Sequence, residues 1–125
     1  MNLLLDTHVL LWWLSDDPKL RPEIRETVGN PGNVVLVSAA SAWEISIQKA
    51  LGKLDAPDDL EEVVEAAHLQ PLPITLGHAM RAGALPKHHD DPFDRMLVAQ
   101  AQLERLLLTT ADRRLAAYEV AVLLA

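Results

Sequence analysis

A chain of 125 residues, half of them apolar, fits one domain with a sizeable core, and we expect a single domain over residues 1–125. The absence of cysteine excludes disulfides and thiolate zinc sites, and the apolar runs are too short to predict a membrane-spanning helix. The formal charge of −7 argues against binding nucleic acid mainly through basic charge. Either nucleic acid is not the partner, or cations neutralise clustered acids, or the partner is a basic protein.

The first apolar segment is interrupted by Asp6 and lacks the basic start and cleavage site of a signal peptide, so we expect a cytoplasmic protein. Further along, short apolar runs bounded by turn-forming residues predict buried strands. These strands are expected at residues 2–5, 34–37, 69–72, 106–108 and 120–123. Capping residues, prolines and glycines frame helices between them. The helices are expected at residues 7–15, 21–28, 39–50, 58–68, 75–84, 92–105 and 112–117.

Strands that alternate with helices and lack a polar face predict an α/β fold with a mainly parallel sheet of four to five strands between two helical layers. Ligands of such sheets bind beyond the carboxyl ends of the strands. Asp6 follows the first strand directly, and Asp112 lies four residues after the strand at 106–108. Both are therefore candidate site residues. The alternative is helix capping, which fits Asp112 well and Asp6 less well, because Asp6 stands between two apolar runs.

Glu44 lies on or beside an apolar helical face. On the helix at 39–50, Ala40, Trp43, Ile47 and Leu51 follow one another at spacings of three and four, which predicts one buried stripe. A buried carboxylate is costly unless it is paired or bound to metal. The alternative is an edge position from which the carboxylate reaches water or a lysine.

Asp94 has the same anomaly, because Leu97, Val98 and Ala101 share its face of the helix. The alternative is a first-turn acid favoured by the helix dipole, although Asp91 fits the cap position better. Four acids gathered at one end of one sheet repel one another unless cations intervene. Oxygen ligands of this kind select Mg²⁺ or Mn²⁺, which activate water and clamp phosphates.

Hydroxyl and basic side chains near these acids are further candidates. The hydroxyls could orient Asp6 or a metal-bound water, or simply cap helices; they are Thr7, Ser38 and Thr110. The basic groups could contact RNA phosphates, or simply face solvent; they are His88, His89, Arg95, Arg113 and Arg114.

Three stretches carry the acids and their flanking residues: LLLDTHVLLWWL, SAASAWEISIQKALGKL and HHDDPFDRMLVAQAQLERLLLTTADRRL. Together they span nearly the whole chain, and they resemble the PIN-domain family, specifically the VapC toxins of bacterial toxin–antitoxin pairs. The resemblance implies that Asp6 and Asp94 bind Mg²⁺, and that Glu44 and Asp112 complete the site directly or through water. Asp94 is chosen over Asp91 because it immediately precedes the RMLVAQA helix, as the family's acid does.

The resemblance further implies a PIN-like three-layer fold and an endoribonuclease that blocks translation by cutting tRNA or ribosomal RNA. It implies a homodimer and a VapB-like antitoxin whose tail covers the site, with promoter DNA bound only through the antitoxin. Ala111 and Arg113 flank Asp112, so a fifth acid found in many members is absent. The alternatives are a catalytically inactive PIN-like scaffold and a small metal-dependent phosphohydrolase. Against the latter, the sequence has no Gly-rich phosphate loop and no GxSxG motif.

Overall fold

The computed structural model describes residues 1–125, and every strand and helix predicted from the sequence is present within two residues at each end. The strands are β1 (Asn2–Leu5), β2 (Val34–Ser38), β3 (Gln70–Leu72), β4 (Leu107–Thr110) and β5 (Val122–Leu124). The helices are α1 (Thr7–Leu14), α2 (Pro22–Gly29), α3 (Ala39–Ala50), α4 (Leu60–Ala66), α5 (Leu76–Ala84) and α6 (Pro92–Glu104). The last helical element, Arg113–Ala117, is a 3₁₀ helix.

The five strands form one sheet in the order β3-β2-β1-β4-β5, and all neighbouring strands are parallel. In the central strand, Leu4 pairs with Leu36 of β2 and with Leu108 of β4. Because the strands are parallel, all their carboxyl ends lie at one edge. The strand order reverses at β1, which makes the crevice beyond β1 the expected position of a site.

Both faces of the sheet are covered by helices, and each face has its own apolar core. Leu3 and Leu5 point to the face covered by α1 to α4, whereas Leu4 points to the face covered by α5 and α6. Burial on both faces explains why the strands show no polar alternation. The predicted three-layer α/β/α architecture is confirmed. No helix combines the length and apolarity needed to cross a membrane.

Side-chain caps fix where the site's helices begin. Asp6 caps α1, since its Oδ1 accepts a hydrogen bond from the Val9 amide at 2.8 Å. The expectation that Asp6 is a weak capping candidate was wrong: an acid between two apolar runs still meets free amides where a strand turns into a helix. Ser38 caps α3 and Asp91 caps α6, as predicted.

Candidate active site

Asp6 lies at the carboxyl end of β1 with only 4% of its surface exposed. Its backbone amide donates to the Thr109 carbonyl at 3.0 Å, which continues the pairing between β1 and β4. Its second carboxylate oxygen accepts a hydrogen bond from the Thr110 hydroxyl. Burial raises the pKa of Asp6, and the hydrogen bonds from Thr110 and Val9 oppose that rise. The Asp6 carboxylate is thus fixed by hydrogen bonds but poorly solvated.

Asp94 lies in the first turn of α6, half-buried, with Oδ2 at 2.8 Å from His89 Nε2. Burial raises the pKa of Asp94 to about 6 against the hydrogen bond from His89, and the negative charges of Asp91 and Asp6 add to the rise. The effect of the Asp6 charge on the pKa of Asp94 indicates that the two carboxylates lie near each other. A cation between the two carboxylates would offset both the cost of burying their charges and the repulsion between them.

Asp112 caps the 3₁₀ helix and also lies beside His89 and Asp94. Helix capping and a place at the site are therefore compatible for this residue. Its Oδ1 accepts from the Arg114 amide at 3.0 Å, and the Arg114 guanidinium lies 2.7 Å from Oδ2. Bonding to Arg114 lowers the pKa of Asp112. On the other side, Oδ2 is 3.7 Å from His89 Nε2. Thr110 links this residue to Asp6, since its hydroxyl also accepts from the Asp112 amide at 3.0 Å.

Glu44 contacts Thr7 rather than the aspartates, and it lies on a different helical face from the one predicted. The buried residues of α3 are Ala40, Ser41 and Ile45, whereas Trp43 is largely exposed, so the stripe through Trp43 was wrong. An apolar side chain at helical spacing does not show which face meets the core when the helix also has buried small polar residues. Glu44 is half-buried beside Ser41, and its Oε1 accepts from the Thr7 hydroxyl at 2.6 Å.

The three candidate hydroxyls behave differently. Thr110 holds Asp6, which fits the orienting contact that the sequence suggested. Thr7 holds Glu44 and Ser41, so its predicted contact with Asp6 was wrong; as the first residue of α1, its side chain faces α3. Ser38 accepts from the Ala40 amide at 3.0 Å, so its hydroxyl is used as a helix cap, the alternative interpretation.

Two of the five candidate RNA-binding side chains point inward. Arg95 donates to the carbonyls of Ala82, Leu85 and Pro86, so the expectation that it meets RNA phosphates was wrong. Buried carbonyls at the end of α5 need donors, and the guanidinium supplies several at once. His89 is also buried, with 8% of its side chain exposed. His88 and Arg113 are exposed, as expected for groups at a rim.

The sequence model of the PIN domain family matches residues 3–121. The chain belongs to the PIN domain family. Over 122 residues it is 31% identical to Ribonuclease VapC22 of Mycobacterium tuberculosis, and the alignment covers 91% of this chain and 89% of that protein. The chain is therefore a VapC-type PIN protein, and the resemblance predicted from the sequence is confirmed.

Solved structures show the same PIN fold. A chain of VapBC2 from Rickettsia felis, bound to a fragment of promoter DNA, matches with a TM-score of 0.74 at 13% identity and covers 100% of this chain and 99% of that chain. A chain of DNA-bound VapBC from Salmonella typhimurium matches with a TM-score of 0.70 at 20% identity and covers 98% and 97%.

PIN ribonucleases generally use a divalent metal ion, and the donor set of this chain fits one. One ligand atom each from His89, Asp94 and Asp112 lies within 4.8 Å of the others, which is close enough to share one ion. Asp6 acts electrostatically on both aspartates. Carboxylate oxygens are hard ligands, and their grouping beyond a parallel sheet suits a divalent cation.

Two side chains of the site make contacts that the sequence analysis did not assign to them. Arg114 was considered for RNA phosphates or solvent, and it binds Asp112, for which its place two residues later on a capped turn was a usable signal. His89 was placed at the rim because adjacent histidines in a loop usually face solvent. Its spacing of five residues before Asp94, across a proline that starts a helix, was the only hint that it turns inward.

Proposed function

We propose that this PIN protein is a magnesium-dependent endoribonuclease, the toxin of a type II toxin–antitoxin pair, that cuts tRNA or ribosomal RNA and so inhibits translation. The observation that carries the proposal is the grouping of Asp94, Asp112 and His89 at the carboxyl edge of the sheet, with the buried Asp6 carboxylate near enough to act on Asp94 electrostatically. The 31% identity to a protein named as a ribonuclease supports it. We take residues 1–125 as one catalytic domain.

Asp6 and Asp94 would hold Mg²⁺, or Mn²⁺ in its place, and Glu44 and Asp112 would complete the site directly or through water. When bound, the ion supplies water activation and charge stabilisation for displacement at a phosphodiester. Thr110 fixes the Asp6 carboxylate, and Thr7 fixes that of Glu44. These hydrogen bonds hold the carboxylates in position before substrate arrives, which lowers the cost of reorganisation.

Basic side chains at the rim would bind the RNA backbone. Arg114 is 67% exposed while its guanidinium stays on Asp112, so it can contact a phosphate next to the carboxylates. Arg113 and His88 are exposed on the flanking segments and would extend this contact. Three cationic or polar groups around an acidic centre would guide a polyanion to the site despite the overall charge of −7.

A VapB-like antitoxin is the proposed protein partner, and promoter DNA would be bound only through it. The solved relatives described above are VapBC complexes with DNA. An apolar groove of about 950 Å³ runs between α3 and α4, with Ile45, Leu60 and Val64 in its wall. Its rim carries Glu61 and the ion pair of Asp58 with Lys49. A groove with apolar walls and a charged rim suits an amphipathic segment of the antitoxin.

We also propose a homodimer that forms through α5. Leu76 is 87% exposed and Met80, one helical turn later, is exposed beside it. Ile74, two residues before the helix, adds apolar surface. Large exposed apolar side chains on one helix face are typical of an interface rather than of free surface.

The proposal is tested with protein purified free of antitoxin, using RNA with Mg²⁺ and with chelator. We expect cleavage of tRNA or ribosomal RNA that needs the cation and disappears in Asp6→Ala. An Asp6→Ala protein as active as the parent would contradict it. Metal binding without any cleavage would favour an inactive scaffold, and turnover of a generic phosphoester with RNA left intact would favour a phosphohydrolase.

A further inference from the structure

His89 is the only basic side chain that faces the carboxylates from inside the site. Arg114 approaches Asp112 from the solvent side and remains mostly exposed, whereas the His89 ring is almost completely buried. A buried imidazole among acids is more than a surface contact. The function proposed above leaves this side chain without a role.

The main chain at His89 is held by contacts that are independent of the carboxylates. The His89 carbonyl accepts a hydrogen bond from the Tyr118 hydroxyl at 3.3 Å and one from the Arg95 guanidinium at 3.4 Å. Arg95 also binds the carbonyls of Leu85 and Pro86, so the segment between α5 and α6 is anchored before the histidine as well as at it. The position of the His89 backbone therefore does not depend on the acids, and the ring meets them through Nε2.

Nε2 lies 2.8 Å from Asp94 Oδ2 and 3.7 Å from Asp112 Oδ2. We infer that His89 Nε2 is a ligand of the divalent cation together with these aspartates, and that this nitrogen gives the centre a higher affinity for Mn²⁺ or Co²⁺ than for Mg²⁺. The inference rests on the metal site of the proposed function. Ligation uses the lone pair of Nε2, so the ring proton stands on Nδ1 in the loaded protein.

The chemistry of the donor atoms carries the metal preference. Mg²⁺ takes oxygen ligands and gains little from an imidazole, whereas Mn²⁺ and Co²⁺ bind nitrogen well and increase in affinity along that order. Asp94 and Asp112 alone would suit any of these ions. The addition of His89 favours the transition metals, while the carboxylates still allow Mg²⁺ to bind.

The test compares Mg²⁺, Mn²⁺ and Co²⁺ binding by calorimetry in the parent protein, in His89→Gln and in the control His68→Gln. We expect His89→Gln to bind Mn²⁺ and Co²⁺ about 10-fold or more weakly and Mg²⁺ within about 3-fold of the parent. His68→Gln should match the parent for all three ions, because its side chain is exposed between α4 and β3. Equal Mn²⁺ affinity in His89→Gln and parent would overturn the inference.

A spectroscopic measurement on the unmutated protein removes any dependence on the variant's folding. Pulsed electron paramagnetic resonance of the Mn²⁺-loaded protein should show nuclear modulation from a directly bound ¹⁴N, replaced by ¹⁵N modulation when histidine is ¹⁵N-labelled. Mn²⁺ binding and RNA cleavage without nitrogen modulation would overturn the ligand assignment and leave the proposed function intact. A protein that binds no divalent cation would overturn both.

Discussion

The Thr7 hydroxyl donates a 2.6 Å hydrogen bond to Glu44 Oε1 and thereby joins the start of α1 to the middle of α3. Thr7 directly follows Asp6, so one short segment caps a helix, supplies a buried carboxylate and orients a second one. The same Thr7 hydroxyl lies 3.2 Å from the Ser41 hydroxyl. The position of Glu44 therefore depends on the geometry of the β1–α1 turn.

Thr7→Val tests this dependence, because valine keeps the shape and removes the hydroxyl. We expect RNA cleavage to fall about 10-fold, as for the loss of other groups that orient a metal ligand, while Thr7→Ser stays close to the parent. Thr27→Val is the matched control, since that hydroxyl bonds only to its own helix at the Glu23 carbonyl. A Thr7→Val protein with parental activity would show that Glu44 needs no such anchor.

Two substitutions of Asp6 separate its capping role from its charge. Asp6→Ala removes the acceptor for the Val9 amide and should lower the free energy of unfolding by about 1 kcal/mol relative to Asp6→Asn. Both variants should lose cleavage, because neither has a carboxylate at the site. Urea unfolding at pH 7 in chelator measures the difference. Equal stability of the two variants would mean that the cap contributes nothing.

The metal-free protein should lose stability as the pH rises from about 4 to about 6. The folded-state pKa of Asp94 is raised to about 6 from 3.8, and that of Asp6 is also raised, so the native state binds these protons more tightly than the unfolded chain. That stabilisation is complete below pH 4 and is lost through pH 6. The lowered pKa values of Asp112 and Asp58 act below pH 4, outside this window.

We therefore expect the Tm of the parent in chelator to fall by a few degrees over this range relative to that of Asp94→Asn. Adding Mn²⁺ should restore the parent's Tm at pH 7 and leave that of Asp94→Asn almost unchanged. Parallel curves for the parent and Asp94→Asn would contradict the raised pKa of Asp94.

Arg95 should matter for stability rather than for RNA binding. Arg95→Ala leaves the carbonyls of Ala82, Leu85 and Pro86 without their donor, and we expect a loss of about 2 kcal/mol or more in the free energy of unfolding. Arg113→Ala is the control and should stay within about 0.5 kcal/mol, because Arg113 is exposed. A stable Arg95→Ala protein with weakened RNA binding would contradict this and would show that Arg95 contacts RNA.

The elements and their order follow from the sequence because each has a local cause. Ser38 and Asp91 mark helix starts, and Pro92 fits the first helical position after its cap. Strands without a polar face require helices on both sides, and that requirement yields the three-layer fold. Asp6 and Asp112 could be assigned to one edge because parallel strands all end there.

Side-chain direction across elements could not be derived in the same way. Trp43 has the right spacing for the core of α3, yet Ser41 is buried instead, since α3 packs against α1 through small residues and hydrogen bonds. His89 and Arg95 have polar side chains that local patterns place in solvent. Their burial depends on carbonyl groups at the end of α5 and on Asp94 of α6, which only the tertiary structure brings near.

The central claim is that the acids at the sheet edge perform metal-dependent cleavage of RNA. Its most direct test compares the cleavage rates of Asp94→Asn and Asp90→Asn under saturating Mg²⁺ and Mn²⁺, because Asp90 is an exposed acid in the loop just before α6. We predict that Asp94→Asn loses at least about 100-fold in rate, as expected when charge stabilisation worth several kcal/mol is removed, and that Asp90→Asn retains parental activity. Equal rates in the two variants would contradict the account.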